Sequence, residues 1–133
     1  MTTTTTEIIL AYHRAFYSNK RGAVRKLLAD KGSFNGPLNS FTNPDLFLDS
    51  AAIFMKLTLK TVVKKIFVDD NQACILYDSA YSVPSIPVLP IASWFKVESG
   101  KINFFRVHFD PSKFLIAEEN GDIAKALAAH ENK

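Results

Sequence analysis

The sequence predicts an α+β fold in which a curved antiparallel sheet, a cone-shaped half-barrel, wraps around N-terminal helices. Up to residue 57 the apolar residues follow the spacing of helices, and beyond it β-branched and aromatic runs take over. No helix-length segment separates those later runs, so they are expected to pair as an antiparallel meander rather than as parallel units. A chain of 133 residues is long enough for one domain with a core of its own.

The first helix is predicted from Glu7 to Ser18. Its apolar residues fall on one stripe, Ile8, Tyr12, Ala15 and Phe16. After the break at residues 19–22, a shorter second helix carries Val24, Leu27 and Leu28, and a short strand is expected around Ser33 to Asn35.

The third helix has the clearest start signal in the chain. Asn43 is suited to the N-cap, Pro44 to the first helical position and Asp45 to the first turn. Its apolar residues continue to Leu57. Four strands follow, over residues 58–68, 73–83, 89–97 and 101–109.

The ends of the chain are assigned by composition. Residues 1–6, with their threonine run, are predicted to be a disordered tail, residues 7–118 the domain, and residues 119–133 a C-terminal helix or tail. Asp110 and Pro111 end the last strand and are expected to cap a short closing helix.

Composition argues against several classes of function. The net charge of +3 comes largely from basic residues between Arg14 and Lys26, which interrupt helical apolar positions and indicate a solvated face rather than a nucleic-acid footprint. Cys74 is the only cysteine, and His13, His108 and His130 lack ligand spacing, so neither a metal site nor a cofactor is predicted. No apolar run reaches the roughly 20 residues of a membrane span, and the N-terminus lacks a basic signal-peptide region, so a cytoplasmic location is expected.

The closing hairpin, SWFKVESGKINFFRVHFDP, has large apolar groups on both faces. Because side chains alternate along a strand, Asn103, Phe105, Val107 and Phe109 are expected to point inward. The other face mixes aromatic and charged groups, as protein interfaces do, and is predicted to be a homodimer contact. Its members are Trp94, Phe104, Arg106 and His108. The alternative is that Trp94 packs beneath the C-terminal helix.

The segment ASWFKVESGKINFFRVHFDP resembles the closing hairpin of the nuclear transport factor 2-like superfamily, especially its SnoaL-like members. The segment AYHRAFYSNKRGAVRKLLADKGSF is similar to that family's first helices and first strand, so the resemblance covers roughly residues 7–115. It implies a cone-shaped fold, usually a homodimer through the outer sheet face, with a pocket between the helices and the inner face. It says little about chemistry.

The resemblance to the family's isomerases places Tyr12 at the position of their helix-borne tyrosine. The two acid positions fall near Gly36 and Ile91, and the carboxylate of the hydrolases and cyclases falls at Val107, so the family's carboxylates are missing. Asp78 is a substitute acid only if the strand register turns it inward. Otherwise it lies on the outer face beside a basic residue.

Three functions remain open. The first is a protein that binds a small hydrophobic molecule in an apolar pocket, with Tyr12 as the hydrogen-bond donor. The second is an isomerase, cyclase or hydratase that uses Tyr12 with Asp78 or another acid as catalytic groups, and the third is a non-catalytic dimerisation module. The predicted pocket consists of Tyr12, Phe16, Asn35, Phe54, Tyr77, Ser93, Phe95, Asn103, Phe105, Val107 and Phe109.

Overall fold

A computed structural model describes residues 4–131 of the chain. These residues form five helices and one sheet of six strands. In chain order the elements are α1 (Thr5–Tyr17), α2 (Arg21–Leu27), β1 (Leu28–Asn35), β2 (Ser40–Phe41), α3 (Pro44–Leu57), β3 (Thr58–Asp69), β4 (Gln72–Tyr81), β5 (Leu89–Glu98), β6 (Lys101–His108), α4 (Ser112–Glu119) and α5 (Asp122–Glu131).

The first helix begins earlier than its apolar pattern indicates. Thr4 is its N-cap and accepts a hydrogen bond from the backbone N–H of Glu7, so Thr5 and Thr6 are helical rather than part of a disordered tail. A threonine hydroxyl satisfies one of the free N–H groups at a helix start, which the helical periodicity alone does not reveal. Residues 1–3 of the predicted tail, and residues 132–133 of the predicted C-terminal segment, lie outside the described residues.

The start of α3 agrees with its sequence signal. Asn43 caps the helix by accepting hydrogen bonds from the backbone N–H groups of Asp45 and Leu46, and Pro44 occupies the first turn. The helix buries Phe47, Leu48, Ala51, Met55 and Leu57.

The sheet is curved and mixed, in the order β2-β1-β6-β5-β4-β3. The meander from β3 to β6 is antiparallel, as predicted, but β1 pairs with β6 in parallel. The expectation of a purely antiparallel sheet was therefore wrong for one pair of strands. β1 is also longer than the predicted strand at residues 33–35. After β1 the chain passes through β2, α3 and the strands β3 to β5 before β6 returns beside β1. Because β1 and β6 are far apart in the sequence, the local pattern of apolar residues does not indicate that they pair.

Strict alternation of burial along β4 and β5 separates an inner from an outer face of the sheet. The inner face, with residues such as Ile75, Tyr77 and Phe95, is buried in the same core as α1 and α3. One irregularity breaks the alternation on β6. Lys96 pairs with Phe104 but Val97 pairs with Ile102, so Asn103 is an extra residue in a β-bulge.

The C-terminal helices α4 and α5 pack on the side of the core formed by α3 and do not cover Trp94. Asp110 accepts a hydrogen bond from the backbone N–H of Ser112 at the start of α4. From α4, the Phe114 ring packs against Phe54 and Phe109, and α5 packs on α3 and α4. The alternative placement of Trp94 beneath the C-terminal helix is therefore wrong.

Candidate functional site

A partly enclosed cavity lies between α1, α3 and the inner face of the sheet. Its volume is about 120 Å³. Apolar side chains such as Phe16, Phe54 and Val107 make up most of its wall, and the loop from Gly36 to Asn39 borders it on one side. A hollow of this kind, mostly apolar with a few polar groups, is the usual form of a small-molecule site.

All four tyrosines of the chain line this cavity, although they come from two different elements. Tyr12 and Tyr17 are on α1, and Tyr77 and Tyr81 are on β4. The hydroxyls of Tyr17 and Tyr77 are hydrogen-bonded to each other. Burial, together with the neighbouring phenols, holds the pKa of Tyr12 and of Tyr17 well above the usual value of a tyrosine, so both phenols are neutral and able to donate a proton in a hydrogen bond.

The Tyr12 hydroxyl, like that of Tyr81, has no hydrogen-bond partner among residues 4–131. The Tyr12 ring is buried against Phe95 and Phe105, with centroid distances of 5.4 and 5.9 Å. Among residues 4–131 no group forms a hydrogen bond with its hydroxyl, while the side chain contributes to the cavity wall. A free donor facing a mostly apolar space can bond strongly to a ligand acceptor, because little water competes there.

His13 is a further polar residue of the cavity wall and lies beside Tyr17 and Tyr77. Its ring lies 4.8 Å from the ring of Tyr17 and 4.7 Å from that of Tyr77, and its Nε2 atom is 2.9 Å from the Thr61 hydroxyl on β3. Burial, and to a lesser extent the positive charge of Arg14, lowers the pKa of His13 from 6.5 to about 4. The imidazole is therefore neutral at pH 7.

Most of the predicted pocket residues come together at this cavity. The structure places Tyr12, Phe16, Phe54, Tyr77, Ser93, Phe95, Val107 and Phe109 on its wall.

Three predicted pocket residues lie elsewhere. Asn35 is buried but donates hydrogen bonds to the Ser33 hydroxyl and to the Phe105 carbonyl, so its role is to hold β1 against β6. Phe105 is fully buried behind the wall, where it supports Tyr12. The bulge at Asn103 turns this side chain away from the cavity, toward the Glu98 carboxylate.

Asp78 does not reach the cavity. In the register of β3 and β4 it lies opposite Val62 on the outer face, while its neighbours Tyr77 and Ser79 point inward. Its carboxylate is 3.6 Å from the Lys64 ammonium in a solvent-exposed ion pair. Asp78 is therefore unsuited to act as an acid or base beside Tyr12.

His13 and Tyr17 are wall residues that the sequence reasoning did not select for the site. They follow the predicted inner residues Tyr12 and Phe16 by one position each, and they are themselves four residues apart. Two adjacent stripes at this spacing indicate a wide buried face, because one turn of a helix surrounded by a curved sheet contacts more than a single stripe. The loop residues Pro37 and Leu38 give no comparable signal.

The outer face carries the exposed Trp94 on β5 and the half-buried Phe104 on β6. Trp94 is 38% exposed and packs edge-on against Phe104, with ring centroids 4.8 Å apart. The ammonium of Lys96 lies 4.9 Å from both ring centres, within cation–π distance. Arg106 pairs with Trp94 across the strands, and His108 continues the same exposed row.

Between residues 4 and 131, no three His, Cys, Asp or Glu side chains are grouped so that they could hold a metal ion. Within the same range, no helix is both long enough and apolar enough to cross a membrane.

Comparison with solved structures identifies the fold. A nuclear transport factor 2-like protein of unknown function from Cytophaga hutchinsonii is similar, with a TM-score of 0.73 and 24% identity over 86% of this chain and 97% of that chain. A protein from Kribbella flavida gives a TM-score of 0.79 and 25% identity, covering 87% of this chain and 94% of its own. A steroid delta-isomerase from Pseudomonas aeruginosa gives a TM-score of 0.70 at 12% identity, covering 97% and 95% of the two chains.

No family model and no curated protein matches the sequence. The chain has the nuclear transport factor 2-like fold, and the prediction of that fold from the closing hairpin and the first helices is confirmed. At these identities the likeness extends to the fold alone, so function has to be argued from the site.

Proposed function

We propose that the protein binds a small hydrophobic molecule in the cavity between α1, α3 and the inner face of the sheet. The observation that carries this proposal is the combination of an apolar wall with the unpaired Tyr12 hydroxyl. The aromatic side chains provide contact area, and the phenol fixes the orientation of a ligand that has a hydrogen-bond acceptor.

A proton-transfer reaction built on Tyr12 and Asp78 is not supported, since Tyr12 projects from α1 onto the inner face of the sheet and Asp78 lies on the outer face. No Asp or Glu belongs to the cavity wall within residues 4–131. The wall supplies neutral hydroxyls and the imidazole of His13, whose pKa of about 4 makes it a weak base and whose Nε2 is already hydrogen-bonded to Thr61. These groups suit recognition better than the abstraction of a proton from carbon.

Ligand binding is tested by screening small neutral aromatic compounds by thermal shift and then measuring the affinity of hits by calorimetry. The Tyr12→Phe variant should weaken a hit that has an acceptor by roughly 0.5–1.5 kcal/mol, because it removes one hydrogen bond and keeps the ring. Ser40→Ala, which removes an exposed hydroxyl on β2, is the control and should leave affinity unchanged. An unchanged affinity of Tyr12→Phe would reject the phenol as the donor, and the absence of any hit would reject the binding function.

We also propose that two copies associate through the outer face around Trp94 and Phe104. The supporting observation is the exposed Trp94 ring packed on the half-buried Phe104 ring at the outer sheet surface, since aromatic groups that become buried contribute strongly to interfaces. Sedimentation velocity of the wild type should give a dimer, and Trp94→Ala should shift it toward the monomer. A monomeric wild type at high micromolar concentration would contradict the proposal.

A cytoplasmic location remains a prediction from the sequence.

A further inference from the structure

We infer that the cavity selects uncharged ligands of about one aromatic ring in size and rejects anionic and cationic compounds of the same shape. This inference rests on the proposed function, because it specifies the chemical class that the proposed ligand site accepts.

Among the described residues, the cavity wall offers no counter-charge to an ionic ligand. No Asp, Glu, Lys or Arg belongs to the cavity wall within residues 4–131. The ion pairs of the same range, such as Arg21–Asp49 and Lys64–Asp78, are formed by exposed side chains. A charged ligand would lose its water shell on entry without gaining an ion pair, and an unpaired buried charge is strongly unfavourable.

Titratable groups of both signs in the wall are held in their neutral form. Burial raises the pKa of Tyr12 and of Tyr17, which disfavours the phenolate anion. Burial also lowers the pKa of His13, which disfavours the imidazolium cation at the same end of the cavity. The surroundings that disfavour each of these charges would act in the same way on a ligand.

The size of the cavity also limits the ligand. The cavity volume of about 120 Å³ is close to the roughly 150 Å³ of an apolar protein cavity that accepts benzene. One ring with a short substituent therefore fills the space. The free phenol of Tyr12 favours a substituent that accepts a hydrogen bond over one that is purely hydrocarbon.

The test uses the wild-type protein and four probes of nearly equal size, measured by calorimetry at pH 7. The probes are acetophenone, ethylbenzene, benzoate and benzylammonium. Acetophenone should bind most tightly, and benzoate and benzylammonium should each bind at least tenfold more weakly. A charged probe that binds within tenfold of acetophenone would overturn the selectivity while leaving the binding function in place. Failure of all four probes to bind would overturn both.

A pair of variants tests the cause of the selectivity. Ser50 on α3 lines the cavity, whereas Ser40 on β2 is exposed. Ser50→Asp places a carboxylate in the wall and should raise the affinity for benzylammonium at least tenfold relative to acetophenone. Ser40→Asp makes the same change in net charge outside the cavity and should leave the ratio as in the wild type. Equal ratios in the two variants would overturn the explanation by missing counter-charge, and the wild-type series remains decisive if Ser50→Asp does not fold.

Discussion

The buried histidine on α1 should make the stability of the protein depend on pH. His13 is 8% exposed, lies between the rings of Tyr17 and Tyr77, and has a pKa lowered to about 4 from an ordinary value of 6.5. Burial is the main cause, and the positive charge of Arg14 adds to it. In the unfolded chain the imidazole is solvated and regains its ordinary pKa, so between these two values the unfolded state binds more protons than the folded state.

The sign and the size of the effect follow from that difference. As pH falls below 6.5, protons bind to the unfolded chain first, and the folded state loses relative stability until His13 itself is protonated near pH 4. Proton linkage through His13 lowers the free energy of unfolding by about 2 kcal/mol between pH 7 and pH 5. The full decrease, reached at lower pH, is about 3 kcal/mol.

The assay is urea unfolding of the wild type and His13→Gln at pH 7 and at pH 5. Other titrating groups act on both proteins, so the difference between the two pH-dependent losses isolates His13. The wild type should lose about 2 kcal/mol more than His13→Gln over this interval. His130→Gln replaces an exposed histidine on α5 and is the matched control, which should behave as the wild type. Equal losses in the wild type and His13→Gln would refute the description of His13 as a buried neutral group.

Two further substitutions test the register of the sheet and the position of Asp78. Gly32→Ala should lower the free energy of unfolding by more than about 1 kcal/mol, because a Cβ atom there would lie 2.3 Å from the carbonyl oxygen of Asn103 on the parallel neighbour strand. Gly22→Ala in α2, where the added atom meets nothing within 4 Å, should instead leave the urea midpoint unchanged or raise it. Equal midpoints for Gly32→Ala and the wild type would argue against the close approach of β1 and β6. Asp78→Asn should cost less than about 1 kcal/mol, since its pair with Lys64 is exposed, and it should leave the affinity of a cavity ligand unchanged. A loss of affinity of more than threefold would place Asp78 in the site after all.

The sequence predicts this fold well where one local rule applies. The cap formed by Asn43 and Pro44, and the alternation along β4 and β5, follow from neighbouring residues, and the structure has them as expected. The parallel pairing of β1 with β6 joins segments about 70 residues apart, so no local pattern signals it. The bulge at Asn103 is similar, because one extra residue reverses the alternation and exchanges the positions of Ile102 and Asn103.

The site was predictable where helix or strand periodicity applies, which includes the polar residues Tyr12, Tyr77 and Ser93. Phe16, Phe95 and Val107 follow from periodicity, since the inner face is the one with consistent apolar alternation. His13 was not selected, because the width of the buried face of α1 depends on how far the sheet curves around it. The isolation of Asp78 from the cavity depended on register, which the sequence left open between two alternatives.

The proposed ligand site is enclosed by the inner face of the sheet, and the outer face does not contribute to it. The most direct measurement is an NMR titration of the labelled protein with acetophenone, observed at the amides of Ser93, Phe95 and Val107 and at the Trp94 indole N–H. The inner-face amides should shift with a common saturation curve, and the Trp94 signal should stay in place. Shifts confined to Trp94 and the other outer-face residues, or no shift at all, would contradict the claim.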